Sequence, residues 1–327
     1  MTSAFSHTCC SQSTSTYSNP VINQDFPDPN CIKVADTFFV LATNFGEMEA
    51  ISSHVQLATS HDLVTYQLQP DALPKLPSWA KTGKTWAPNV THVQTTGGSL
   101  FVLYFVAWDT LSDRQAIGVA ISKNPEGPYQ SHAPAPVIIQ ADQGGSIDPS
   151  VFTDSDGKRW LLFKNDGNAV DKPTHIYLRP LSPDALQDDQ HWEGKVVEAP
   201  FMWKHAGRYY LFYSGPFHKH PQPVLKSDGA VVGPGACCIV RGPNDTEWML
   251  YHSWNPEHTY RAMSIAELTW HEDKPVVHAS WGKPQPAPDF GAPWAHKGVL
   301  DDTLGVESQG SKLDLVPGLL KAAKAQR

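Results

Sequence analysis

Cysteine is scarce in this chain and poorly placed for structural use. Five occur, Cys9, Cys10, Cys31, Cys237 and Cys238. The number is odd and four of them form two vicinal pairs, which fits neither a disulfide framework nor a zinc spacing. Cys237 and Cys238 are expected inside a buried strand. Basic runs are also missing. With 25 Lys and Arg against 33 Asp and Glu, the net charge is −8, which argues against nucleic acid or an anionic membrane as a partner. No apolar run reaches the ~18 residues of a membrane-spanning helix. Met1 to Ser18 is polar and rich in Ser and Thr, with no basic segment followed by an apolar one, so no export signal is legible and the compartment stays open. Helical periodicity is absent until Leu313 to Arg327, which reads as a short helix or a frayed terminus. Two glycosylation triplets, at Asn89 and Asn244, are of a kind that arises often by chance.

What is present is alternation. Apolar residues recur with period 2, broken by Gly, Pro, Asn and Asp, as in an all-β chain. Five aromatic runs stand out: Thr37 to Leu41, Ser99 to Trp108, Arg159 to Phe163, Arg208 to Phe212 and Glu247 to Trp254. Turn sequences such as Asp154-Ser155-Asp156-Gly157 and Gly97-Gly98 precede them, as hairpins require. A further strand follows most of them, as at His54 to Ser60 and Tyr260 to Glu267. Each copy holds three or four strands in roughly 50–60 residues, the size of a propeller blade. Five copies predict a five-bladed β-propeller over residues 19–282. A polar extension (1–18) precedes it, and a Pro-rich loop and tail (283–327) close or flank it. The fourth copy is short. Gly215-Pro216-Phe217 follows Tyr213 almost at once, whereas Gly127-Pro128-Tyr129 begins well after Phe105. About one strand is missing from blade four, which would leave a strand edge exposed.

A short signpost precedes each aromatic run. Three carry acids: Asp28-Pro29, Asp148-Pro149 and Glu198-Ala199-Pro200. The other two are Trp86-Ala87-Pro88 and Gly233-Pro234-Gly235. An Asp before Pro is by itself most often a turn former. Three acids at one register of a repeat would instead meet at the channel mouth, if the first strand of each blade lines the channel. Such convergence suits glycosidic hydrolysis. That reaction needs one carboxylic acid for the leaving oxygen and a carboxylate to activate water or attack directly, ~6.5–9.5 Å apart for inversion. A third carboxylate would keep the acid protonated.

These stretches resemble glycoside hydrolase family 43. The matching text is Asn19-Pro20-Val21-Ile22 leading to Asp25-Phe26-Pro27-Asp28-Pro29, then Trp86-Ala87-Pro88, Ser146-Ile147-Asp148-Pro149-Ser150, Glu198-Ala199-Pro200-Phe201 and Tyr251-His252-Ser253-Trp254, in that order. The resemblance implies a five-bladed propeller with Asp28 as general base, Glu198 as general acid, and Asp148 tuning the acid's pKa and orientation. It also implies single-step inversion. Within the family the chain looks most like the exo-1,5-α-L-arabinofuranosidase branch, through Asp71-Ala72-Leu73-Pro74, Gln143-Gly144-Gly145 and Phe163-Lys164-Asn165-Asp166-Gly167-Asn168. A β-xylosidase, an arabinoxylan arabinofuranohydrolase and an inactive sugar-binding relative stand as alternatives. Substrate contacts are expected from Trp86 (a pocket wall, or equally a blade-core ring), Phe45 (a stacking ring, or loop packing), Asn165 (pocket edge, or a turn) and Arg261. His252 is expected at the channel centre, where family members sometimes link it to a bound calcium or water. No cofactor is required, and no metal ligand set is assigned beyond that role of His252. The expected partner is an arabinose-containing oligo- or polysaccharide, with the chain a monomer. The family works mostly outside the cell.

Overall fold

The structure is a computed structural model that describes residues 15–45, 53–95, 98–181, 196–215, 223–228 and 231–290, and the backbone of 188–190. It is an all-β, five-bladed propeller. Blade one is Asn30–Val34, Thr37–Ala42, Gln56–Ser60 and Gln67–Gln69; blade two is Ala80–Thr95, Gly98–Asp109 and Arg114–Ser122. Blade three is Ser146–Thr153, Arg159–Asn165, Ile176–Pro180 and Asp188–Gln190; blade four is Glu198–His205 and Arg208–Ser214. Blade five is Val232–Arg241, Glu247–Trp254, Arg261–His271 and Lys274–His278. Every described sheet is antiparallel, as hairpin connections dictate. The five aromatic runs of the sequence are the second strands of the five blades.

The inner strands contact one another in a closed ring, blade one to two and so on, with blade five returning to blade one. The N-terminal segment helps close it. Ile22 bridges Met263 of blade five, and Thr16–Tyr17 pairs with Gln285–Pro286. The Asn19 carboxamide locks this join by donating to Ile265 O (2.7 Å) and accepting from Ile265 N (3.0 Å). Pairing the two ends removes edges that would otherwise be open for aggregation.

Alternating side chains of neighbouring blades fill the seams. Leu41, Leu57, Leu103 and Phe105 pack between blades one and two, and Val106, Ile117, Leu161 and Phe163 between two and three. Met249 and Tyr251 pack with Phe212 between four and five, and Phe38, Val40, Leu250 and Ile265 close five onto one. Each such fully buried apolar side chain stabilises by about 1.5–3 kcal/mol. Among the described residues no comparable cluster fills the seam between blades three and four. Lys204 Nζ and the Tyr209 hydroxyl bind Asp154 there (both 2.6 Å), and Phe152 meets Tyr209 edge-on at 5.8 Å. Blade four explains this. It shows two strands where blades one, three and five show four, so the described residues lack more than the single strand read from the sequence. The expected helix at 313–327 lies outside the described residues. Among the described residues no helix is long and apolar enough to cross a membrane.

Candidate active site

The inner strands carry one backbone device five times. Asp28, Ala87, Asp148, Ala199 and Ala236 all have left-handed φ, at 56°, 33°, 56°, 49° and 48°. Each begins a two-residue bulge. In blades two to five the pairing register skips there, directly after the pairs Trp86–Val106, Ile147–Lys164, Glu198–Ser214 and Gly235–His252. In blade one Thr43 N donates to Pro27 O across the same break (3.1 Å). Bulges re-aim side chains at strand ends, and a non-glycine residue in this region costs of order 1–3 kcal/mol. Five strained bulges point the same triplets at the channel: Asp28-Pro29-Asn30, Ala87-Pro88-Asn89, Asp148-Pro149-Ser150, Ala199-Pro200-Phe201 and Ala236-Cys237-Cys238.

This frame corrects two readings of the sequence. The blade-five signpost is Ala236-Cys237, not Gly233-Pro234-Gly235, because the bulge needs a left-handed residue and does not need proline after it. Glu198 is also not in register with the two aspartates. It stands one residue before the bulge, at the position of Trp86 in blade two and Ile147 in blade three.

Asp28 is ringed by donors. Its Oδ2 accepts from Thr43 Oγ1 at 2.6 Å, and Oδ1 lies 3.4 Å from Arg261 Nη1. His252 Nδ1 is 3.0 Å from the Asp28 amide and 3.3 Å from Oδ1. One nitrogen cannot accept from the amide and donate to the carboxylate together. The shorter contact and the fixed direction of the N–H make Nδ1 the acceptor, which leaves the ring proton on Nε2. Burial pushes the Asp28 carboxyl up, but the Arg261 guanidinium and the Thr43 hydroxyl outweigh it and hold it below the usual carboxylate range.

Asp148 shares the bulge and the Asp-Pro sequence and behaves oppositely. Burial pushes its carboxyl up to about 7, Lys164 and the Ala199 N–H draw it partly back, and Asp28 and Glu198 repel it upward. Its Oδ2 accepts that N–H at 2.8 Å, so Asp148 grips the bulge adjoining Glu198. Two glycines let the strand begin here: Gly144 and Gly145 have φ of 93° and 116°, and a Cβ on Gly144 would lie 2.1 Å from Asp166 O.

Lys164 was not singled out from the sequence. Its side chain is wholly buried, with Nζ 2.9 Å from Asn168 Oδ1 and 3.3 Å from Glu198 Oε1. The Glu198 side chain is 44% exposed, against 18% for Asp28. The visible signal was a lone cation ending the apolar strand Trp160-Leu161-Leu162-Phe163. Thr43 gave no comparable signal, since threonine is ordinary in strands.

The remaining expected contacts separate. Arg261 and His252 stand beside Asp28. Trp86 occupies the register of Glu198 and also packs against the core between blades two and three. Phe45 is 39% exposed and pairs with Ser53 by backbone hydrogen bonds. Asn165 is corrected: it is fully buried, and its carboxamide binds Gln143 O, Pro173 O and His175 N, so it staples loops and has no surface open to a sugar. Asn89, in a glycosylation triplet, is likewise buried, accepting from Val151 N at 3.0 Å. As expected, Cys237 and Cys238 lie in a strand, and Cys238 is buried. Among the described residues no group of three or more His, Cys, Asp or Glu side chains is placed to hold a metal.

A five-bladed propeller with carboxylates at its channel mouth defines a class shared by sugar-cleaving enzymes, and the chain's relatives name the family. Residues 17–219 match glycosyl hydrolases family 43, and the chain belongs to that family. It is 28% identical over 215 residues to an extracellular exo-α-(1→5)-L-arabinofuranosidase of Cellvibrio japonicus, covering 58% of each chain. It is 26% identical over 265 residues to a β-D-galactofuranosidase of Aspergillus niger, covering 72% of this chain and 75% of the relative. An extracellular endo-α-(1→5)-L-arabinanase of Thermotoga petrophila is 31% identical over 170 residues, where the match spans 42% of this chain and 33% of the relative. The chain thus matches little more than half of the first of these and a third of the last. Among solved structures, a thermostable family-43 glycoside hydrolase superposes with TM-score 0.66 at 24% identity, covering 84% of this chain and 99% of that one.

Proposed function

We infer that this chain is an exo-acting glycosidase that releases terminal α-L-arabinofuranosyl residues from arabinan or arabino-oligosaccharides with inversion. The observation that carries the reading is the contrast around one centre: a carboxylate held ionised at Asp28 and an open carboxylate at Glu198 braced by Lys164 and the Asp148-gripped bulge, both close enough to Asp148 to repel it. In this reading Asp28 takes a proton from water as the water oxygen attacks the anomeric carbon. The glycosidic C–O bond breaks, and Glu198 gives its proton to the leaving oxygen. Asp148 fixes the backbone beside Glu198 by accepting the Ala199 N–H. Arg261 holds the base, and an arabinose-containing saccharide is the partner. The arabinose preference is supported by the arabinofuranosidase and arabinanase among the relatives.

A second reading rests on blade four. With two described strands and no apolar seam to blade three, the chain could bind sugar without turning it over. One experiment separates the readings. Purified protein and Glu198→Ala are assayed on 4-nitrophenyl α-L-arabinofuranoside, 4-nitrophenyl β-D-xyloside and linear 1,5-arabino-oligosaccharides, with the product anomer followed by NMR. Arabinose released as the inverted anomer, and abolished in the variant, is the expected outcome. Xylose release in its place makes the chain a β-xylosidase. Calorimetric binding by folded protein without turnover establishes the binding-only reading.

A further inference from the structure

We propose that Thr43 is the positioning residue of the Asp28 carboxylate, and that it selects Oδ1 as the oxygen that receives the proton of the attacking water. This rests on the reading of Asp28 as general base and adds a residue to that site.

The hydroxyl has two partners with fixed directions. Ala87 N donates to Thr43 Oγ1 at 2.9 Å, and Thr43 Oγ1 donates to Asp28 Oδ2 at 2.6 Å. An N–H can only donate, so it takes a lone pair of the hydroxyl and turns the hydroxyl proton toward Asp28. A threonine in a strand also has few χ1 choices. The hydroxyl is therefore preorganised by blade two to hold one oxygen of a blade-one carboxylate. Oδ2 is engaged by a short, charge-assisted bond, whereas Oδ1 has only the longer ion pair to Arg261 at 3.4 Å, since the His252 Nδ1 lone pair is given to the Asp28 amide. Oδ1 is left with the freer lone pair.

The repeat shows that the fold alone does not demand this hydroxyl. Thr43, Val106, Lys164, Ser214 and His252 occupy the same place, each paired with the residue that precedes its bulge. Three of them reach the bulge amide of the next blade: Thr43 accepts from Ala87 N, Ser214 Oγ from Ala236 N at 3.1 Å, and His252 Nδ1 from Asp28 N at 3.0 Å. Lys164 reaches Glu198 instead. Val106 has no polar atom and is fully buried, so a blade forms with an isostere of threonine here. What distinguishes blade one is the carboxylate at the end of the hydroxyl.

The test compares Thr43→Val, Thr43→Ser and Thr43→Cys with the wild type and Asp28→Asn, reading kcat, KM and the pH profile of kcat/KM on the substrate that the wild type cleaves. The groups near Asp28 are Thr43, Arg261, His252 and, within electrostatic reach, Asp148, and all but the first are unchanged in the Thr43 variants. Thr43→Val is expected to lower kcat about 10–100-fold with KM nearly constant, as loss of orientation does. Its acid limb should move to higher pH, because a donor to the ionised form is gone. Ser should restore both, and Cys, a weak donor, should fall between. In an Asp28→Asn background, Thr43→Val should cost nothing further. Wild-type kcat and an unmoved acid limb in folded Thr43→Val would overturn the proposal. So would a melting-temperature loss without a change in the acid limb, since that marks a purely structural hydroxyl. If Thr43→Val does not fold, Cys decides: wild-type behaviour there is equally fatal. A wild type inactive on every sugar, with intact folding, would instead sink the assignment of Asp28 as base.

Discussion

Asp28 and Asp148 begin from the same text and end in opposite states. Each precedes proline, each has φ of 56°, and each opens the bulge of its blade. Around Asp28 stand Arg261 and the Thr43 hydroxyl, and the carboxyl is held below its ordinary range. Around Asp148 burial dominates and two other carboxylates repel it, so it rises to about 7 despite Lys164. The repeat sets where a carboxylate points, while residues from neighbouring blades decide whether it keeps its proton. Each blade is thus a similar holder with different chemistry. A single backbone device can hold both an ionised carboxylate and a carboxyl raised to about 7 within one channel.

The largest break in this comparison is removal of the ionised carboxylate of Asp28, the base in the proposed function. Asp28→Asn keeps volume and takes away the ionised oxygen, and turnover is expected to fall about 10²–10⁴-fold, measured as kcat on the preferred aryl glycoside. Its stability effect has a defined sign. The Asp28 carboxyl is depressed in the folded state, so its contribution is present above the ordinary carboxylate pKa and is lost as pH falls through the folded value. The variant should therefore melt below the wild type at neutral pH, and the gap should close in strong acid.

Next comes Lys164. Replacement by Met removes the cation that Asp148 and Glu198 share. The Asp148 carboxyl should then rise further, and Glu198 should lose its brace. Turnover is expected to drop about 10–100-fold. A kcat within twofold of wild type would show that Glu198 is held by its backbone alone.

Asp148→Asn sharpens the comparison by reversing the sign seen at Asp28. With the folded pKa raised to about 7, the folded protein keeps a proton between roughly pH 4 and 7 that the unfolded chain has already released. Wild-type stability therefore carries a term that is full below pH 4, declines as pH rises to 7, and is level above. The Asn variant lacks that decline. It should gain most in melting temperature above pH 7 and nothing below pH 4, while losing activity. Thermal melts from pH 3 to 8 on both proteins check this, and a pH-independent difference would contradict the buried proton.

Much of the architecture was legible because aromatic strands and turns repeat audibly in the sequence, and the three acids stand in short motifs. What was not legible depends on contacts across blades. Lys164 looks like a strand-end lysine until blade four brings Glu198 to it, and Thr43 is an ordinary strand threonine until Ala87 and Asp28 meet its hydroxyl. Asn165 misled for the same reason: a motif asparagine near the pocket in sequence is buried by loops 143, 173 and 175. The register of Glu198 was misjudged because aligning the acids overrides the prolines: counted from Pro200, Glu198 stands one place earlier than Asp28 and Asp148 stand from Pro29 and Pro149, and only in blade five, where Cys237 replaces the proline, does a proline at Pro234 slide the frame.

The smallest expected effect tests the comparison from the other side, by giving blade two what blade one has. Val106 holds the place of Thr43 and is fully buried. Val106→Thr keeps the shape and adds a hydroxyl, which costs about 1–3 kcal/mol if it finds no partner. By the symmetry of the ring its neighbour in the next blade is the Asp148 bulge, as Ala87 is the neighbour of Thr43. A hydroxyl there would donate to the Asp148 carboxyl or accept from its amide. Either contact recovers part of the cost, but only donation favours the ionised form. In that case the decline in melting temperature between pH 4 and 7 should become shallower, and the acid limb set by Asp28 should stay where it is. In the Asp148→Asn background the same substitution should leave the pH dependence flat. A decline as steep as wild type in Val106→Thr would mean that the ring position does not govern the carboxylate beyond it, and that the equivalence of Thr43 and Val106 ends at the backbone.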